Sequence, residues 1–189
     1  STTDAISIAQ AIELLVCKYT KDLKPYYSLL LSFFSEYIPM ILGNTSKSRD
    51  RQRALLHIIK ALNFFLVKEV HNFVMRAREM ADELCKPFND LWCSSKDEFL
   101  KVEMIQFFRI IYRLKFTTTT TTTTTLDDLP IRENMFDVFN MLLDGMSQKL
   151  FFVTNKTAGS LVKAEHNRRK RLFEDFATDT MYYYYLFTR

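Results

Sequence analysis

The chain has 189 residues, 48% of them hydrophobic and 14% aromatic, but only 3 Gly and 4 Pro, which excludes glycine-built phosphate loops and disfavours β architectures. A formal net charge of +4 permits an acidic partner without demanding one. No apolar run reaches the ~20 residues a bilayer requires, and no secretory signal pattern opens the chain, so no membrane partner is expected.

Taken in order, Asp4 is placed to cap a first helix of about 15 residues, with Ile8, Ile12, Leu15 and Tyr19 on one face. Pro25 suits the first turn of a second helix carrying Tyr26, Leu29, Leu30, Phe33, Phe34, Tyr37 and Ile41. Pro39 is expected to kink or end its regular part, and Gly43 to stop it. The stretch 49–87 then reads as two amphipathic helices with a break near 67–72. Leu55, Ile58, Ile59, Leu62, Phe65 and Leu66 form one stripe, and Phe73, Ala77, Met80 and Leu84 belong to the other. Neither stripe is buried by its own hairpin, so each needs a neighbouring pair, as in a helical repeat.

Pro87 is read as opening a short segment that seats Trp92. Ser95 and Glu98 have capping-box spacing, and they introduce a helix through about Lys115 that is apolar nearly all round. A helix of that kind is sandwiched between others, so this one is expected to be the most buried element. The threonine run 117–125 lacks apolar partners and reads as a disordered loop. Met135, Phe136, Phe139, Leu142, Leu143, Met146 and Leu150 form the inner stripe of another helix, and a charged last helix covers about 158–176. The tyrosine-rich end has no functional reading. The fold class is therefore all-α, a HEAT-like helical-repeat solenoid of stacked antiparallel helix pairs. Its parts are helical repeats over 1–116, the threonine loop 117–125, a further repeat with the basic helix over 126–177, and an atypical tail 178–189.

Chemistry-bearing residues are sparse. Cys17, Cys85 and Cys93 are odd in number and lack zinc spacing, so buried reduced thiols in an intracellular compartment are expected. His57, His71 and His166 sit on separate segments with no i,i+4 partner. No nucleophile, acid–base pair or phosphate loop is recognisable, so neither a catalytic residue nor a cofactor or metal site is assigned to this stretch. The sharpest feature is the run Arg168, Arg169, Lys170 and Arg171, which reads as a solvated helix face, a nuclear-import signal or a contact for acidic partners. Leu172, Phe173 and Phe176 anchor the same helix, so receptor access to the run requires local unfolding. Arg49, Arg51 and Arg53 form a second basic face, suited to weak DNA contact.

The order of elements resembles the N-terminal helical solenoid of the ataxia-telangiectasia-mutated (ATM) kinase family. The resemblance is carried by residues 31–35, the helix 54–62 ending in Phe65 and Leu66, residues 80–84 followed by Pro87, Leu91 and Trp92, the helix 101–112, residues 140–143, and the basic run 168–171. It covers roughly residues 25–175 through helix-face patterns rather than invariant motifs. It implies that the chain, which begins with Ser1 rather than Met, is a piece of a giant nuclear serine/threonine protein kinase of the phosphatidylinositol-3-kinase-related group. Such a parent acts at DNA double-strand breaks and in telomere maintenance, and is homodimeric. The catalytic domain would lie far downstream, the spiral would dock proteins including the break-sensing nuclease complex, and the basic run would fall where the family carries a nuclear signal. A HEAT-repeat nuclear-transport or scaffold protein, and a nucleic-acid-binding helical bundle, are the alternatives.

Overall fold

The structure is a computed structural model describing residues 2–43, 48–119 and scattered positions between Asn140 and Met181. Among the described residues every element is helical. Helix α1 spans Thr2–Tyr19, α2 Tyr27–Gly43, α3 Arg49–Glu69, α4 Val74–Ser94 and α5 Glu98–Thr119, with 3₁₀ turns at Lys24–Tyr26 and Val70–Asn72. Packing links alternate helices. Helix α3 lies chiefly against α1 and then α5, while α2 lies chiefly against α4, and α4 also meets α5. The apolar stripes are thus covered by neighbours rather than by their own hairpins.

The stripe of α3 is buried as its spacing requires: Leu55, Ile58, Ile59, Leu62, Phe65 and Leu66 are all inaccessible. The break falls at Val70–Asn72, with Val67 still helical. Phe73 follows it outside the helical region (φ −151°, ψ 42°), and its ring stacks on Phe65 at 5.1 Å. Tyr27 meets Phe65 edge-on at 4.9 Å, so the start of α2 is pinned to the end of α3.

Several boundaries and faces differ from the sequence reading. In α1 the buried positions are Ala9 and Val16, with Ile12 half-buried and Thr20 buried just past the helix end, whereas Ile8, Leu15 and Tyr19 face outwards. The helix is apolar on two adjacent faces, and periodicity alone does not say which one finds a neighbour. In α2 the inward set is Tyr27, Leu31, Phe34, Ile38 and Ile41, while Tyr26 and Leu29 are exposed. Pro39 lies inside α2, which continues to Gly43. Pro87 does not open a new segment either, because α4 runs through it to Ser94. A proline inside a helix costs about 3 kcal/mol. Burial of Phe88, Leu91 and Trp92 beyond it offsets that loss, at about 1.5–3 kcal/mol for each large apolar side chain.

The capping box is also displaced. Ser95 ends α4, donating a hydrogen bond to Gln52 and accepting the Asp97 N–H, and the cap of α5 is Asp97. Its Oδ1 accepts the N–H groups of Phe99 and Leu100 at 3.0 and 3.2 Å. From Leu100 to Arg109 every side chain of α5 except Gln106 is buried, while Phe99, at the helix start, is exposed. Helix α5 extends to Thr119, so the first three threonines of the tract continue the helix, and 120–125 lie outside the described residues. Also outside them are the connector 151–160, most of the 126–150 helix and the tail beyond Met181. Leu143, assigned to an inner stripe, is exposed.

Candidate functional site

An almost fully apolar helix buries its charges only where partners wait for them. Three such charges lie in α5. The Lys101 ammonium sits 5.0 Å from the centre of the Trp92 ring, whose N–H donates to Asp144 at 2.6 Å. The Arg109 guanidinium donates to Gln106 at 3.1 Å and pairs with Asp175 at 3.5 Å. Glu103 is held from two sides: Asn63 Nδ2 donates to its Oε2 at 3.0 Å and to its carbonyl at 2.9 Å, and Arg168 Nη1 lies 3.4 Å from Oε1. Asn63 is itself buried, and among the described residues its Oδ1 has no hydrogen-bond partner.

Asn63, Glu103, Gln106 and Arg109 line one groove of about 600 Å³, walled by α1, α3, α5 and the basic segment. Arg168, Arg171, Leu172 and Asp175 all contribute to it. Their spacing (i, i+3, i+4, i+7) is one face of a helix, and the described positions from Lys163 to Thr178 are helical. Leu172 is buried at the groove, whereas Lys170 points to solvent. The basic run is therefore divided: Arg168 is tied to a buried carboxylate, Arg171 borders the groove but is exposed, as is Lys170, and Arg169 lies outside the described residues.

The second basic face divides too. Residues two apart on a helix point about 200° apart, so Arg49 and Arg53 share a face that Arg51 does not. Arg49 and Arg53 are exposed and border a cleft of about 880 Å³ together with Gln52, Leu56, Lys96, Asp97, Glu98 and Phe99. Arg51 is half-buried and engaged elsewhere.

The remaining singled-out residues bear on packing. His57 Nδ1 pairs with Glu13 across α1 and α3; His71 is exposed, and His166 lies outside the described residues. The cysteines are all free, but only Cys85 is buried; Cys17 is half-buried and Cys93 exposed, because their positions fall at the margins of the stripes. Burial, then the charge of Glu13, push the Cys17 thiol above its ordinary pKa, which disfavours the nucleophilic thiolate. Among the described residues no three His, Cys, Asp or Glu converge as a metal site, and no helix is long and apolar enough to cross a membrane.

Asn63, Glu103, Arg109 and Asp175 were not singled out by sequence reasoning. The available signal was the presence of charges inside the greasiest helix, since an ion on such a surface needs a partner. Comparisons with protein-family models, curated proteins and solved structures gave no match.

Proposed function

We propose that this chain is a non-catalytic docking segment of a HEAT-like helical scaffold, part of an ATM-like serine/threonine protein kinase working in the nucleus. The observation that supports the scaffold is the packing of alternate helices, α1 with α3 with α5 and α2 with α4. Stacking of like-placed helices from successive repeats generates that neighbour pattern. The outward face of α1 adds support: Ile8, Leu14 and Leu15 are at least half exposed, surface that a neighbouring repeat or docked protein would cover.

The kinase parent, its role at double-strand breaks and telomeres, its homodimeric state and its docking of the break-sensing nuclease complex all rest on the helix-face resemblance of residues 25–175. The open reading frame tests this half. A downstream kinase domain supports it; a frame that ends without one leaves the transport or scaffold alternative. Within the same reading, the basic run 168–171 serves nuclear import. The nucleic-acid reading has less behind it, since Arg168 faces Glu103, and Asp97 and Glu98 share the cleft of Arg49 and Arg53. A DNA affinity that falls steeply with salt for the isolated chain would restore it.

A further inference from the structure

We infer that the cleft between the first turns of α3 and the turn joining α4 to α5 docks a segment of a partner protein that carries a phosphorylated serine or threonine. The inference deepens the docking role proposed above and rests on it, but needs nothing of the kinase parentage. It starts from three cations that the fold leaves unanswered. Arg49, Arg53 and Lys96 border this cleft of about 880 Å³. All three are exposed, and none meets a carboxylate among the described residues. Arg49 and Arg53 stand one turn apart on the same face of α3, where like charges destabilise a helix. The packing of α3 does not call for them, since none of its buried positions precedes Ala54. What they offer together is two guanidinium groups and an ammonium around one space.

The chemistry of these groups favours a phosphate over a single carboxylate. A phosphate monoester brings about 1.5–2 negative charges and three acceptor oxygens, enough for both guanidinium groups at once. One carboxylate is filled by one of them. Gln52 adds a neutral donor: its Oε1 accepts the Ser95 hydroxyl at 3.2 Å, so its NH2 group is the end left for a ligand. Two acids also border the cleft, and both are engaged. Asp97 Oδ1 receives the N–H groups of Phe99 and Leu100, and Glu98 has contacts of its own. They still restrict the ligand. A nucleic-acid backbone carries charge along the whole cleft and runs into both acids, whereas a single phosphate settles among the cations. The apolar part of the cleft points the same way. Phe99 is 50% exposed and Leu56 half-buried, a place for one large apolar side chain beside the phosphorylated residue.

The test uses the whole chain and two peptide arrays. They are identical except that a fixed central threonine is phosphorylated in one, and the neighbouring residues vary from spot to spot. At about 0.15 M salt the phosphorylated array should capture about tenfold more chain, with the strongest spots carrying a large apolar residue beside the phosphothreonine. Arg49→Ala combined with Arg53→Ala should abolish the preference for phosphate. Lys21→Ala, the loss of an equally exposed cation far from the cleft in sequence, should leave it unchanged. Phe99→Ala should keep the preference for phosphate and lose the selection of apolar neighbours. All these positions are exposed, and melting curves check that each variant is folded. Equal capture by the two arrays overturns the phosphate site and leaves the docking role, whose apolar face on α1 is separate from this cleft. Phosphate-dependent capture that survives the double alanine variant overturns the cleft as its place. Duplex DNA that displaces the chain better than soluble phosphothreonine peptide at matched phosphate overturns the inference in favour of the nucleic-acid reading.

Discussion

Helix α5 contains two kinds of interior. In one cluster Phe107 and Phe108 meet Phe88 of α4 edge-on, and the three ring centres lie 5.2–5.8 Å apart. In the other, Glu103, one turn before Phe107, and Arg109 reach Asn63 of α3 and the basic segment through hydrogen bonds and ion pairs. Both regions are buried, but they do different work. The aromatic side is held mainly by removal of apolar area from water, which by itself selects no particular partner. The charged side specifies one partner in one register, and it depends on contacts at the edge of solvent. Stability is therefore expected to sit with the first and reversibility with the second.

The strongest way to break this contrast is to empty the aromatic side. Phe108→Ala should cost about 3–5 kcal/mol in chemical denaturation. A loss under about 1 kcal/mol would place the load elsewhere. On the charged side, Arg168→Ala should cost about 1–3 kcal/mol, the range for depriving a buried group of one partner. The low half is expected, since Arg168 is 41% exposed and Glu103 keeps Asn63. If the two variants cost the same, the charged side is as much a part of the core as the phenylalanines are.

The same contrast explains what was legible in the sequence. The stripe of α3 and the burial of α5 follow from apolar spacing, because hydrophobic attraction depends on the pattern along one helix. Glu103 and Asn63 are 40 positions apart, and nothing local in either helix points to the other. The division of 168–171 depends on a helix face docking against α3 and α5, which a count of four cations does not show. Pro87 misled because its local cost is visible in the sequence, while the burial of Phe88 and Trp92 that offsets it belongs to the tertiary structure.

Tyr27 carries both kinds of contact in one side chain and sharpens the comparison. Its ring packs edge-on against Phe65, and its hydroxyl donates to the Thr20 carbonyl at 3.2 Å. Burial first, then the nearby Glu69 carboxylate, push its pKa from 10.0 up to about 12. The folded chain therefore keeps a proton that the unfolded chain releases from about pH 10. This contribution is complete below that pH and is lost as pH rises towards about 12. Tyr27→Phe should cost about 0.5–1.5 kcal/mol at neutral pH. It should also flatten the alkaline fall of stability between those values. Parallel curves for the two proteins would show that the hydroxyl is no better protected when folded.

The smallest effect is expected where apolar residues have no partner. Ile8, Leu14 and Leu15 on α1 are 55%, 69% and 50% exposed, whereas Val16, next in sequence, is 1% exposed. Leu15→Lys should then change stability by no more than about 0.5 kcal/mol, as for an ordinary surface site. The same lysine at Val16 would bury an unpaired charge and should unfold or severely destabilise the chain. Melting curves of the two single variants compare adjacent residues on one helix, with composition and propensity held nearly constant. If Leu15→Lys costs as much as Val16→Lys, the outward face of α1 is already covered in solution, and a self-associated state should appear in sedimentation. If it is silent, that face is open to a neighbour, as the scaffold reading requires.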